Sequence, residues 1–179
     1  MSFSGGYSLN GITALENILN LWYNDNYRTP PKGRVSMKIS TKGRYALRML
    51  YDLALHHEEG YVSLKDIADR QGISKKYLEQ IVPLLNKTGL LRTNRGNKGG
   101  YMLAGSPDEV TVGDVLRATE GSLAPVTCLE FEPNECARAA ECSTLFIWEG
   151  LYKSITDYLD NISLNDIINH SHNGGDYCI

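Results

Sequence analysis

Between Ser63 and Ala104 the chain carries start and stop signals too closely spaced for long elements. Ser63 stands three residues before Asp66, the spacing of a capping box, and opens a short helix over Leu64–Arg70 that ends at Gln71-Gly72. Ser74 caps a second helix running to about Thr88, with Gly89 as its stop signal. Two β-prone runs follow, Leu90–Thr93 and Gly100–Ala104, joined by the glycine-rich stretch Asn94 to Gly99, so they read as a hairpin. Upstream, Gly43 to His57 spaces Tyr45, Ala46, Leu47, Met49, Leu50, Leu53 and Ala54 as one face of a helix. Helix, short helix, glycine turn, helix and hairpin, in that order, predict a winged helix-turn-helix. The fold class is mainly α with a small β-hairpin wing.

The residue types on these elements suit a polyanion. The helix after Ser74 opens with Lys75-Lys76-Tyr77-Leu78-Glu79-Gln80. Its first turn offers unpaired N–H groups, a hydroxyl and two lysines to phosphates or base edges. Glu79 can accept from cytosine N4, and Gln80 can pair with adenine. Leu78, Ile81, Val82 and Leu85 form the inner stripe, expected to pack on Leu50, Leu53 and Ile67. Pro83 lies inside this helix and breaks a local rule. It removes one hydrogen bond, and a bend is expected near Glu79. The hairpin turn holds Arg95 and Lys98 among glycines, slim enough to enter a minor groove. It opens no helix, which argues against a phosphate-binding loop.

Charge divides the chain. Residues 37–105 carry twelve basic and six acidic side chains, whereas residues 106–179 carry three and thirteen, so the total of −3 hides a basic head and an acidic second half. There is no Ser-His-Asp or Cys-His arrangement and no nucleotide fingerprint, so the chain does not read as an enzyme. No apolar run approaches the ~20 residues of a membrane span. The opening residues do not read as a signal peptide, so a cytoplasmic protein is expected.

The remaining segments divide as follows. Residues 1–36 read as an extension with helical spacing over Ile12–Trp22 and a breaker at Thr29-Pro30-Pro31-Lys32-Gly33, either an accessory helix or a start-site artefact ahead of Met37. Residues 37–105 form the predicted DNA-binding domain. Residues 106–170 hold a helix capped by Thr111 and Asp114, an irregular cysteine-bearing stretch from Leu123 to Cys142, a longer helix over about 144–160, and a short one over Leu164–Asn169. Residues 171–179 read as a flexible tail.

Several motifs together resemble the IscR/NsrR/RirA/CymR family of bacterial transcription regulators, the Rrf-two family. They are Met37-Lys38-Ile39-Ser40-Thr41-Lys42-Gly43-Arg44-Tyr45-Ala46-Leu47-Arg48, Tyr77-Leu78-Glu79-Gln80, Arg95-Gly96 with Gly99-Gly100-Tyr101, and Thr111-Val112-Gly113-Asp114. The resemblance covers Met37 to about Ile168 and leaves residues 1–36 without a counterpart. It implies a homodimeric repressor of double-stranded DNA, paired through the long helix. It implies that Ser74, Lys76, Tyr77, Glu79 and Gln80 face the major groove and Arg95 the minor groove, with Gly96 also among the DNA-binding residues. Lys38, Ser40 and Lys42 would lie near the DNA backbone.

Cys128, Cys136 and Cys142 have C-x₇-C-x₅-C spacing. Structural zinc favours tighter pairs, and spacing alone leaves both free thiols and metal ligands open. The resemblance implies an iron–sulfur cluster held by these three cysteines, [2Fe-2S] first and [4Fe-4S] as the alternative, sensing iron, cluster or redox status. The spacing looks most like the RirA-type pattern. The fourth ligand does not carry over. Leu145 stands where IscR-type members have histidine, and Arg44 where NsrR-type members have aspartate. A loop glutamate, Cys178 or a small exogenous ligand remains, while His170 and His172 read as solvated. The alternative implied by the CymR branch is a cluster-free regulator of sulfur metabolism controlled by a cysteine-synthesis enzyme.

Overall fold

The computed structural model describes residues 38–96 and 99–172, which belong to one compact unit. The helix expected at Ile12–Trp22, Lys98 and Cys178 lie outside the described residues. Among the described residues six α-helices and a two-stranded hairpin follow one another: α1 (Thr41–Leu55), α2 (Leu64–Gln71), α3 (Lys75–Lys87), β1 (Leu91–Asn94), β2 (Gly100–Leu103), α4 (Val112–Glu120), α5 (Leu145–Asp160) and α6 (Leu164–His172).

The caps place the boundaries. The Ser63 hydroxyl accepts from the Asp66 N–H and the Ser74 hydroxyl from the Tyr77 N–H, both at 3.2 Å. Thr111 and Asp114 form a full reciprocal capping box. α1 begins two residues before the expected Gly43, because Ser40 caps it. Between α2 and α3, Gly72 takes the left-handed conformation at φ 60°, which a side chain would strain. α3 runs on through Pro83. The Glu79 carbonyl loses its donor there, but Pro83 is exposed and water can replace it. α6 reaches His172, two residues into the segment expected as tail, where the Ser171 hydroxyl bonds the Ile168 carbonyl (2.7 Å) and the Tyr51 hydroxyl (3.0 Å).

The core is built as the periodicity predicts. Leu78, Ile81 and Leu85 of α3 are fully buried with Leu50 and Leu53 of α1 and Ile67 of α2. Burial of each such side chain is worth about 1.5–3 kcal/mol. Val115 of α4 and Leu164 of α6 close the same cluster, so it continues beyond residue 105. A small second cluster, Val112, Leu116 and Leu123, links α4 to Tyr152 and Leu159 of α5.

The hairpin is antiparallel, pairing Leu91 with Leu103 and Asn94 with Gly100. Tyr101 exchanges backbone hydrogen bonds with Val62, at 2.8 and 2.9 Å. Gly100 is required at this point, because a Cβ would strike the Val62 backbone.

Candidate nucleic-acid interface and cysteine loop

α3 presents Ser74, Lys75, Lys76, Glu79 and Gln80 to solvent while burying Leu78. Lys75 and Glu79 face each other at 3.7 Å, an exposed pair worth little by itself. Tyr77 differs from its neighbours. Its ring is half-buried and packs edge-on against Tyr45, with centroids 5.3 Å apart, so it supports the helix as well as bordering its outer face. Arg48 lies over the other ring of the pair, 5.7 Å from the Tyr45 centroid.

A polar network that the sequence pattern does not reveal ties the end of α2, just ahead of the turn into α3, to α1. Asp52, 1 % exposed, sits on the inner face of α1. It accepts from Arg70 Nε (3.0 Å), Arg70 Nη2 (2.6 Å) and Gln71 Nε2 (3.1 Å). The hydrogen bonds to Asp52 raise the Arg70 pKa further above its usual value. Arg48 binds Gln71 through both its side chain and its backbone carbonyl. Thus the end of α2, one residue before the Gly72 turn, is tied to α1 twice. The signal available in the sequence was an acidic residue at a core-period position, three after Met49 and next to Leu53.

On the hairpin, Arg95 and Gly96 are exposed at the turn. Arg92 is a further exposed cation on β1, opposite Met102, and strand alternation after buried Leu91 would have found it. The Thr93 hydroxyl donates to Asn86 Oδ1 at 3.1 Å and ties the hairpin to the end of α3. Lys38 is exposed and Lys42 half-buried. Ser40 is engaged within the chain: its hydroxyl caps α1 and bonds Glu120.

The cysteine loop is different in kind. From residue 121 to 144 only Leu123 is buried, and the ordered backbone amounts to two 3₁₀ turns, Thr127–Leu129 and Ala139–Glu141. Cys128 is half-buried, Cys136 and Cys142 are exposed, and all three are free thiols. Hydrogen bonds from Thr144 hold the Cys142 thiol below its ordinary pKa. Three thiols are suitable donors for an iron–sulfur cluster. Among the described residues, however, no three His, Cys, Asp or Glu side chains are gathered as a metal cage. The three expected ligands are therefore suitable in chemistry but not gathered into one site. His170 and His172 are exposed on the last turn of α6.

The comparisons agree with this architecture. The family model described as "Iron-dependent Transcriptional regulator", Rrf2, matches residues 39–170. The transcriptional regulator IscR of Pectobacterium carotovorum is 42 % identical over 75 % of this chain and 80 % of its own length. CymR of Bacillus subtilis is 40 % identical over 75 % of this chain and 92 % of its own. Among solved structures, CymR, titled the global cysteine regulator of B. subtilis, superposes with TM-score 0.61 at 39 % identity, covering 74 % of this chain and 97 % of that one. IscR of T. potens gives TM-score 0.61 at 41 % identity, covering 79 % and 93 %. These relatives are transcriptional regulators with the same winged-helix head. The chain belongs to the Rrf2 family of transcriptional regulators.

Proposed function

We propose that this regulator is a homodimeric repressor whose grip on double-stranded DNA is set by an iron–sulfur cluster at Cys128, Cys136 and Cys142. The α3 residues Ser74, Lys76, Tyr77, Glu79 and Gln80 read the major groove. Arg95 and Gly96 enter the minor groove, with Lys38, Ser40 and Lys42 near the backbone. The observation that carries the cluster reading is the loop itself: three free thiols, two of them exposed, on a segment with one buried residue. A cluster would be held by thiolates and would supply sensitivity to iron and oxidants. Loading shifts the loop between two states, and DNA affinity follows from the different contacts each state makes. Dimerisation is supported by α5, which packs Tyr152 and Leu159 only partly against the chain and exposes Phe146 (70 %), Ile147, Leu151 and Tyr158 (69 %).

Purification without oxygen, with visible absorption and iron content, tests the cluster. A brown protein with iron is expected, and a form with all three cysteines changed to serine should stay colourless. A colourless wild type after anaerobic reconstitution overturns the reading. The absence of a fourth protein ligand at Leu145 or Arg44, and the likeness to CymR, favour a second reading: a cluster-free regulator of cysteine metabolism controlled by a cysteine-synthesis enzyme. A stable complex of the iron-free protein with such an enzyme is its expected signature.

A further inference from the structure

Glu120 is the last residue of α4, and its carboxylate reaches the start of α1, eighty residues earlier in the chain. Its Oε1 accepts from the Ser40 N–H at 3.2 Å and from the Ser40 hydroxyl at 2.7 Å. The same hydroxyl oxygen accepts from the Gly43 N–H at 3.2 Å. One carboxylate thus fixes one hydroxyl, and that hydroxyl fixes the first turn of the helix. Gly43 admits the carboxylate, since a Cβ there would collide with Oε1 and crowd Leu116 at 3.2 Å.

Capping alone does not require such a reach. Ser74 caps α3 with its own hydroxyl, without a remote carboxylate. What the clasp adds is position. It ties the segment carrying Lys38 and Lys42 to α4, and the residue after Glu120 is Gly121, where the cysteine loop begins. We propose that Glu120 is a positioning residue for DNA binding. Its clasp on Ser40 sets where Lys38 and Lys42 meet the duplex backbone and passes displacement of the cysteine loop to that segment. This rests on the reading above, in which Lys38–Lys42 border DNA and the loop is regulatory.

The test uses the full chain, a short mixed-sequence duplex and two readouts: the slope of log affinity against log salt, and hydrogen exchange of the Ser40 and Gly43 amides. Glu120→Ala should flatten the slope by about 2, one for each lysine, and speed exchange at both amides about tenfold or more. Glu120→Asp withdraws the acceptor by one methylene without removing the charge and should do the same; it decides the matter if the alanine form does not fold. Glu120→Gln keeps an acceptor oxygen and should restore both readouts. A wild-type slope in folded Glu120→Ala or Glu120→Asp overturns the proposal alone. A wild type whose duplex binding ignores salt overturns it together with the DNA reading.

For transmission, the loop is perturbed without any cluster by alkylating Cys128, Cys136 and Cys142 with iodoacetamide in a Cys178→Ser background. Exchange at Ser40 and Gly43 should change in the otherwise wild-type chain and not in Glu120→Ala. An equal change in both, or none in either, overturns the transmission.

Discussion

The head and the cysteine half of this chain are stabilised in opposite ways. α1, α2 and α3 share a dry core in which Leu50, Ile67, Leu78, Ile81 and Leu85 have no measurable exposure. α5 is longer than any of them, yet no residue of it is fully buried, and Tyr152 and Leu159 are half-buried against α4. The loop before it buries one leucine. The head carries its core within the chain, with Val115 of α4 and Leu164 of α6 added to it, whereas α5 and the cysteine loop are only partly covered by the chain itself. In the proposed function the first would be a rigid reader and the second a conditional lever, because a lightly packed segment changes state at lower cost.

Mutations should separate the two halves. The largest effect is expected in the head core, where Leu78→Ala should cost about 2–5 kcal/mol by leaving a cavity. Denaturant unfolding measures it, and a loss below about 1 kcal/mol would dissolve the contrast. Next is Arg70→Ala, which leaves the Asp52 carboxylate buried with only Gln71 as a side-chain partner. About 2–3 kcal/mol is expected, less than for a fully buried pair, because Arg70 is 36 % exposed and water can follow it in. Its DNA affinity should fall as well, since the network holds the end of α2 that leads into α3.

Arg95→Ala should leave unfolding unchanged and weaken operator binding by about 1–3 kcal/mol, mostly at A·T-rich minor grooves. Unaltered affinity would take the wing out of the interface. Leu151→Asp on α5 should shift the head's unfolding by less than about 0.5 kcal/mol at dilutions where the protein is monomeric. The same change should dissociate the dimer in sedimentation. An equally large loss of monomer stability would show that α5 belongs to the head after all.

The smallest effect is at the edge of α6. Hydrogen bonds from the Ser163 backbone and hydroxyl lower the Asp166 pKa. A lowered folded pKa means that the cap's contribution is present above the ordinary aspartate value. It is lost as pH falls through the folded value. Protection of the Ser163 amide, taken relative to its intrinsic exchange rate, should therefore fall in acid, and Asp166→Asn should remove that pH dependence.

Much of the head was legible because its signals are local. Ser74 caps a turn three residues away, the Thr111–Asp114 box is complete in four residues, and the glycines around Arg95 announce a hairpin. Boundaries slipped where the cap was less obvious. Ser40 precedes two further polar residues, Thr41 and Lys42, so α1 reads as starting at Gly43. The Asp52–Arg70 pair and the Glu120–Ser40 clasp were not legible, because each depends on partners far apart in sequence. The cysteines are the opposite case. Their spacing and chemistry were plain, but a loop without packing of its own carries no local rule for how three thiols are arranged.

One further consequence lies at the base of the hairpin. Val62, stitched to Tyr101 across Gly100, immediately precedes the cap of α2, while Thr93 is pinned to Asn86 near the end of α3. The base of the hairpin is thereby fastened both ahead of α2 and near the end of α3, which constrains the offset between the wing and α3. In the proposed docking, a duplex whose minor groove lies too near or too far from the adjacent major groove must itself bend or twist to fit. Selectivity then includes the stiffness of base pairs that no side chain touches.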